Sequence, residues 1–337
     1  MPGRSPRRGN WRARLGDVAQ LVRAPAALSV PGDVVAGAAA SGGLGPRTVG
    51  LAGASVCLYW AGMAANDWAD QDLDAVERPE RPIPSGRISS SAAFAVAAGL
   101  TTASLALAAA TGGRRALAVA VPLTTAVWTY DLWAKNTAAG PAVMATCRGL
   151  DVLLGATATG RLRSAVPAAL AVAAHTYTVT ELSRSEVSGA DRRLPVATLA
   201  GTAAIALAAA APAGSGGTDR VAARNGGTHA RNGGTDSDAA AVGTGRTGRR
   251  WRAVAAAGLA VWYAARYGAA QAKVYRDPGP GPVRAAVGAG IVGLPALQGA
   301  LTARSGATPA GVATAVGLAV SAAAPLGRRL ARKVSPT

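Results

Sequence analysis

The chain contains 337 residues, of which 50% are hydrophobic and 4% aromatic, and its formal net charge is +18. Its apolar residues form blocks of roughly 17–21 residues that are apolar on every face, which excludes a soluble amphipathic domain. The arginines lie at the ends of these blocks and in the two termini, with no aromatic stacking surface beside them, so nucleic-acid binding is excluded too.

In chain order, the sequence predicts a basic cytoplasmic tail over 1–23, without a signal peptide, followed by ten transmembrane helices. These helices form a first transmembrane part over 24–212 and a second over 251–327. A disordered, Gly/Thr/Arg-rich insert over 213–250 separates the two parts, and a basic tail over 328–337 ends the chain. The predicted spans are 24–40, 48–65, 92–111, 114–130, 141–159, 165–182, 195–212, 252–271, 283–301 and 308–326.

The placement of charge predicts the orientation. With an even number of spans, both basic termini lie inside, in agreement with the positive-inside tendency. Abundant Arg, Ala and Gly beside scarce Lys indicate a GC-rich bacterial genome. We therefore predict an all-α, multi-pass protein of a bacterial plasma membrane. The loops expected to face the cytoplasm are 66–91, 131–140, 183–194 and 272–282.

An acidic stretch directly follows the second predicted span and reads Asn66-Asp67-Trp68-Ala69-Asp70-Gln71-Asp72-Leu73-Asp74. If the helix continues past the membrane, the i, i+3, i+7 spacing places Asp67, Asp70 and Asp74 on one face. Asp72 then points to the opposite side. Carboxylates this close repel each other unless cations neutralise them, and Mg²⁺ prefers carboxylate oxygens shared with phosphates. The spacing therefore predicts a magnesium-diphosphate site, and a solvated acidic loop is the alternative.

Positive charges follow at two places. Arg78 and Arg81 lie in a stiff, proline-rich segment, from which a guanidinium can fold back and bind phosphate oxygens in pairs. Arg148 and Asp151 lie three residues apart inside the fifth predicted span, where charged groups are costly. Two interpretations of Arg148 stay open: it binds phosphate, or it forms an ion pair with Asp151.

These motifs resemble the UbiA superfamily of membrane prenyltransferases. Asn66 to Asp74 matches its NDxxDxxxD signature, and the Arg-Pro-x-Arg-Pro-Ile-Pro-Ser-Gly run over 78–86 matches as well. The chain looks most like the UbiA-like branch of ebo gene clusters. The resemblance implies a bundle of nine to ten transmembrane helices around a central cavity. It also implies Mg²⁺ as cofactor, with a prenyl diphosphate and a lipophilic or aromatic acceptor as substrates.

Motif and resemblance together nominate the site residues, with Tyr130 and Lys135 similar to a Tyr…Lys pair of the family. The implied catalytic residues are Asp67, Asp70, Asp74 and Lys135. The implied substrate-binding residues are Asn66, Arg78, Arg81, Tyr130, Arg148, Glu181 and Glu186. The implied metal ligands are Asn66, Asp67, Asp70, Asp74 and Glu186.

The second acidic motif departs from the family pattern, which has DxxxD followed by Gly and Thr-Leu-Pro. When the sequence is aligned on Leu194-Pro195, Glu186 falls on one expected aspartate, Glu181 falls one residue off the other, and Asp191 is an extra acid. Glutamate can bind Mg²⁺, so metal binding is one interpretation of these residues. The alternative is that the acids form ion pairs with the nearby arginines Arg184, Arg192 and Arg193.

The predicted function is Mg²⁺-dependent transfer of an isoprenyl group from a prenyl diphosphate to an acceptor. Because the second motif is degenerate, the alternative is a non-catalytic membrane protein that binds or helps to move a prenylated or lipophilic metabolite. A CDP-alcohol phosphotransferase also carries aspartates at a membrane edge. Its Asp-Gly-x-x-Ala-Arg start is absent from the sequence, which excludes it.

Overall fold

The computed structural model describes residues 11–24, 29–211 and 237–305. These ranges fold into helices and contain no strand, which confirms the all-α prediction. The helices are α1 (Trp11–Leu21), α2 (Pro31–Ala40), α3 (Pro46–Ala69), α4 (Gln71–Glu77), α5 (Ser90–Leu132), α6 (Gly140–Ala156), α7 (Leu162–Ser183), α8 (Arg193–Ala210), α9 (Ser237–Arg276) and α10 (Pro280–Arg304), with a 3₁₀ turn at Ala134–Asn136.

Helix α5 contains two of the predicted spans, 92–111 and 114–130. Its backbone breaks at Gly113, where φ is 62° and ψ is −149°. A side chain at this φ would be strained, whereas glycine adopts it freely. The break falls where the sequence predicts the boundary between the two spans.

Four of the described helices are long and apolar enough to cross a membrane by length and composition: α3, α5, α8 and α10. Helix α2 has 10 residues and α6 has 17, which is shorter than the roughly 20 residues that a full crossing needs. Helices α7 and α9 are longer but less apolar. The predicted span 308–326 lies outside the described residues.

Two helices of the structure begin in segments for which the sequence predicted none. Helix α1 occupies much of the predicted tail 1–23, and α9 begins at Ser237, inside the predicted insert 213–250. Both segments contain residues that favour helices, such as the alanines at 239–241, and this propensity outweighs the polar composition on which the prediction rested. The rest of the insert, 212–236, is outside the described residues.

The helices pack around two main hydrophobic clusters. The first is formed by α3, α5 and α6, with Leu58 and Leu123 at its centre, and the second by α7 to α10, with Val172 and Leu297. Helix α2 crosses between them and lies against α6. At this crossing a Cβ atom on Gly155 would overlap the backbone of α2, so the small residue permits the close approach.

Candidate functional site

The first loop, defined as residues 66–88, begins in the last turn of α3 and contains α4. Helix α3 ends at Ala69, α4 begins at Gln71, and the backbone N–H of Asp74 donates to the Asp70 carbonyl across the junction at 2.8 Å. The helical spacing is therefore kept. Asp67 and Asp74 are buried, whereas Asp72 is exposed on the other side, as the sequence predicts.

Arg81 joins two of the acids. Its Nη1 donates to Asp67 Oδ1 at 3.2 Å and also to Asp74 Oδ2. Arg78 is more exposed, and its Nη1 lies 3.9 Å from Asp74 Oδ1. The predicted return of both arginines toward the acids is present, and the Arg81 guanidinium occupies the space between two buried carboxylates.

Lys135 neutralises the third acid. Its Nζ donates to Asp70 Oδ1 at 2.6 Å from the 3₁₀ turn that follows α5. The pair links the first loop to a segment 65 residues away in sequence. Tyr130, the other residue of the Tyr…Lys pair, lies on the last turns of α5 and lines a cavity.

Two further charged residues belong to this cluster and were missed by sequence reasoning. Arg23 follows α1, and its Nη2 donates to Asp67 Oδ1 at 2.8 Å. Its φ of 47° is unusual for a residue other than glycine, and such strain is common where the surrounding structure fixes a functional side chain. Asp131 is buried beside the Asn66 side chain. Its position next to Tyr130, at a membrane edge, is the signal that could have identified it.

A half-open cavity extends from this cluster into the bundle between α3, α5 and α6. Tyr130 and Asp131 line one end, and Arg148 and Asp151 line the other. The space not filled by protein atoms, including the open mouth, amounts to about 550 Å³. Apolar side chains form the walls between the two ends, namely Leu58, Met63, Leu123, Val127 and Met144.

Arg148 pairs with a residue that the sequence did not suggest. Its Nε lies 2.8 Å from Oδ2 of the fully buried Asp33 on α2, which also accepts a hydrogen bond from Gln298 at 2.7 Å. Arg148 forms no ion pair with Asp151, which instead accepts a hydrogen bond from Ser55. Of the two interpretations of Arg148, the ion pair with Asp151 is therefore wrong, because the close crossing of α2 and α6 brings Asp33 to the guanidinium. Phosphate binding by Arg148 stays a prediction.

The acids of the second motif do not converge. Glu181 lies beside the Tyr177 hydroxyl on its own helix, and Asp191 accepts a hydrogen bond from the Arg193 N–H at 3.4 Å. Burial raises the pKa of the Glu186 carboxyl above its usual range, and the nearby Arg284 opposes this rise. In the described ranges, no ion pair joins these acids to the three neighbouring arginines, Arg184, Arg192 and Arg193, so that alternative is wrong.

The donor chemistry of the first loop fits magnesium. Within the part of the chain that the structure describes, no three His, Cys, Asp or Glu side chains form a ready-made metal cage, and Arg81 and Lys135 neutralise the acids of the first loop. Asp67 and Asp74 nevertheless share one cationic group, so the space between them accepts positive charge. Carboxylate and amide oxygens, which Asn66 supplies with the aspartates, are ligands that Mg²⁺ accepts. Glu186 lies on a different loop and makes no contact with this set.

Comparisons with known proteins agree with this arrangement. The profile of the UbiA prenyltransferase family matches residues 29–213. Digeranylgeranylglyceryl phosphate synthase of Natronomonas pharaonis is 30% identical over 163 residues, which is 48% of this chain and 59% of that protein. Chlorophyll synthase of Arabidopsis thaliana is 36% identical over 94 residues, 26% of this chain and 23% of that protein. The matches thus span less than two thirds of these relatives.

Solved structures share the fold. A structure of digeranylgeranylglyceryl phosphate synthase superposes with a TM-score of 0.59 at 14% identity and covers 87% of this chain and 99% of its own. A UbiA homologue from Aeropyrum pernix K1 gives a TM-score of 0.50 at 19% identity, covering 79% and 96%. This chain is a multi-pass membrane protein with the expected helical architecture, and since the family profile matches more than half of its residues, it belongs to the UbiA prenyltransferase family.

Proposed function

We propose that this protein is an intramembrane prenyltransferase that transfers an isoprenyl group from a prenyl diphosphate to a lipophilic or aromatic acceptor. The observation that carries the proposal is the meeting of Asp67, Asp70 and Asp74 with the cations of Arg81 and Lys135. This cluster adjoins Asp131, which lines an apolar cavity. A diphosphate needs cations and an isoprenoid needs an apolar space, and the two lie together here.

Each charged group has a defined task in this proposal. Asp67, Asp70 and Asp74, with the Asn66 amide, would hold Mg²⁺, which supplies electrostatic stabilisation of the departing diphosphate. Arg81 and Lys135 exchange their carboxylate partners for phosphate oxygens when the substrate binds, and the exposed Arg78 adds a further cation. Tyr130 lines the cavity beside the reacting carbon.

The apolar walls have the second task. Leu58, Leu123 and Val127 exclude water from the allylic cation, which water would otherwise quench. The carbon–oxygen bond to the diphosphate breaks first, the acceptor attacks the first carbon of the resulting allylic cation, and the proton that the acceptor loses passes to the departing diphosphate. We place this site at the cytoplasmic face of a bacterial plasma membrane, because the basic N-terminal tail precedes the first helix on that side.

The test measures diphosphate release. The purified full chain in lipid nanodiscs is incubated with labelled geranylgeranyl or farnesyl diphosphate, Mg²⁺ and a panel of acceptors; the geranylgeranyl donor comes first because relatives are named for geranylgeranyl products. The Asp67→Asn, Asp70→Asn double variant should abolish release. Asp72→Asn is the matched control, since Asp72 lies on the same helix but is exposed on the opposite side. Equal release by wild type and double variant refutes the proposal.

A second function, binding or movement of a prenylated metabolite without turnover, is favoured by one observation. The acids of the second motif do not join the first loop: Glu181 lies beside Tyr177, and Glu186 lies near Arg284. Tight, Mg²⁺-dependent binding of a prenyl diphosphate with no release in the presence of any acceptor would support this function.

A further inference from the structure

Arg87 lies near the end of the first loop and has no part in the proposed reaction, yet all three nitrogens of its guanidinium donate hydrogen bonds. Nη2 donates to the Glu80 carbonyl at 2.7 Å and Nε donates to Ser85 Oγ at 3.0 Å, both within the first loop. Nη1 donates to Asp17 Oδ1 at 2.5 Å and to Gln20 Oε1 at 2.8 Å, both on α1. Arg87 therefore joins α1 to the first loop.

The two segments that Arg87 joins meet again at Asp67. Arg23 lies two residues after the end of α1 and donates to Asp67 Oδ1 at 2.8 Å. Arg81 directly follows the carbonyl that Arg87 Nη2 binds, and it donates to the same oxygen of Asp67 at 3.2 Å. Hydrogen bonds and chain thus form a closed ring. It runs from Arg87 through α1 and Arg23 to Asp67, and returns through Arg81.

The ring holds together two groups that repel each other, because both arginines are cations at one carboxylate oxygen. The Arg23 side chain is 40% exposed and that of Arg81 is 17% exposed, so Arg23 is lost to solvent more easily. The φ of 47° at Arg23 adds a conformational cost, which persists only where surrounding contacts fix the backbone. The burial of Leu21 and the contacts of Arg87 with α1 provide this fixation.

Arg87 acts at a distance from the acids of the motif. Among the described residues its ion pair is with Asp17, and its own side chain is 36% exposed. An exposed ion pair alone contributes little, but a planar guanidinium bound on both sides keeps two segments at a fixed separation. Binding a diphosphate then requires less ordering of the cations beside Asp67, and preorganisation of this kind raises affinity.

We propose that Arg87 is a positioning residue for the diphosphate site: it fastens α1 to the proline-rich segment, so that Arg23 and Arg81 stay together at Asp67. Without Arg87, α1 keeps its apolar contacts, but the two cations lose their common support. This inference rests on the proposed function for the identity of the ligand.

The test measures binding of a non-hydrolysable geranylgeranyl thiodiphosphate, with Mg²⁺, to the full chain in nanodiscs by calorimetry. Arg87→Met should weaken binding about 10-fold, which is the effect of having to order one or two long side chains. Asp17→Asn removes the charge from one contact with α1 and should weaken binding about 3-fold. Glu77→Gln is the matched control, because Glu77 is an exposed acid of the first loop that forms no ion pair among the described residues. It should change the affinity by less than about 2-fold.

A double-variant measurement separates positioning from a general loss of stability. If Arg87 acts through the cations at Asp67, the loss of affinity in the Arg23→Met, Arg87→Met double variant should fall at least about 3-fold short of the product of the two single losses. Losses that multiply in full would show that Arg87 acts independently of Arg23, and they overturn the proposal.

A conservative variant gives a second readout. Arg87→Lys keeps the charge and can pair with Asp17, but one ammonium group cannot span α1, Ser85 and the Glu80 carbonyl together. We expect about a 3-fold loss of affinity, between those of wild type and Arg87→Met. Melting temperatures identify any variant that fails to fold. If Arg87→Met does not fold, Arg87→Lys decides, and an affinity equal to that of the wild type overturns the proposal.

The two hypotheses fail in different measurements. A wild-type chain that does not bind the thiodiphosphate contradicts the proposed function and the positioning role together. A wild-type chain that binds it, beside an Arg87→Met variant that binds it equally well, contradicts only the positioning role.

Discussion

Two loops on the same side of the bundle carry acids, and they are held in place by different forces. In the first loop, residues 66–88, Asp67 and Asp70 pair with cations from other segments, Arg23 and Lys135, and Asp74 pairs with Arg81 of the same loop. In the second loop, residues 184–192, the contacts are hydrogen bonds to backbone carbonyls. The Ala190 N–H donates to the Pro278 carbonyl at 2.9 Å, and Arg184 donates to the Thr137 carbonyl.

An acidic motif forms a compact site when cations from other segments neutralise its carboxylates. Like charges stay together in the first loop because cations 44 to 65 residues away reach them. Among the described residues, Glu181 and Asp191 form no ion pair. The second loop is held instead by hydrogen bonds to backbone carbonyls. The contrast between the two loops leads to four expected outcomes.

The largest expected effect is a difference in diphosphate release between substitutions in the first loop and in the second. Asp67→Asn or Asp74→Asn should reduce diphosphate release by at least about 100-fold, equivalent to about 2.7 kcal/mol of transition-state stabilisation. Glu186→Gln, the corresponding change in the second loop, should reduce it by less than about 3-fold. Steady-state release rates of the purified variants measure both. A 100-fold loss in Glu186→Gln would restore the second motif as part of the site.

The second prediction concerns stability in the first loop. Arg81→Met leaves Asp74 buried with only the distant Arg78, so we expect the free energy of unfolding to fall by about 2 kcal/mol. Arg78→Met is the matched control and should change it by less than about 1 kcal/mol, since Arg78 is half exposed.

Melting in nanodiscs with and without Mg²⁺ measures this effect. Mg²⁺ should restore more stability to the Arg81→Met variant than to the wild type, because the Arg81 guanidinium no longer competes with Mg²⁺ for the two carboxylates. Equal Mg²⁺ effects in the two proteins would show that Asp67 and Asp74 do not bind the ion.

The third prediction concerns the backbone of the two loops, at one glycine of positive φ in each. Gly189 in the second loop has φ 82°, and a Cβ there would meet the Pro278 carbonyl oxygen. Gly86 in the first loop has φ 73° and open space around it. Gly189→Ala should therefore lower the free energy of unfolding by about 2 kcal/mol, whereas Gly86→Ala should lower it by about 1 kcal/mol. Identical melting temperatures would mean that the contact with Pro278 does not hold the loop.

The sequence was most informative where partners are close along the chain. The spacing of Asp67, Asp70 and Asp74 follows from helical periodicity, which is a local property, and their common orientation was predicted. Arg81 and Lys135 were also found, because the family resemblance and the basic segment pointed to them. Short-range geometry therefore sufficed for the three aspartates, whereas Arg23, 44 residues from Asp67, was missed.

The sequence was least informative where partners are distant. Asp33 and Arg148 are 115 positions apart, and they meet only because glycines allow α2 and α6 to cross closely. A charged residue inside an apolar span signals a function or a partner, and on this ground the sequence predicts a role for Arg148 and Asp151. Asp33, in the predicted span 24–40, carries the same signal. The identity of the partner depends on helix packing, which a single sequence does not encode in its local pattern.

The smallest expected effect is a pH dependence in the second loop. Burial raises the pKa of Glu186 above its usual range, against the opposing charge of Arg284. The folded chain thus holds this proton more tightly than the unfolded chain, so the stabilising contribution is present below the unfolded pKa, about 4.3, and is lost as the pH rises through the higher folded pKa.

Melting temperatures across pH 4 to 8 measure this contribution, which should stay below about 1 kcal/mol because Glu186 is only half buried and solvent screens its charge. Glu186→Gln should flatten the profile in this range, and Arg284→Met should steepen it, since it removes the cation that opposes the rise. A Glu186→Gln profile parallel to that of the wild type would contradict the prediction. It would also mean that the second loop titrates through another group, and the contrast between the two loops would then rest on backbone packing alone.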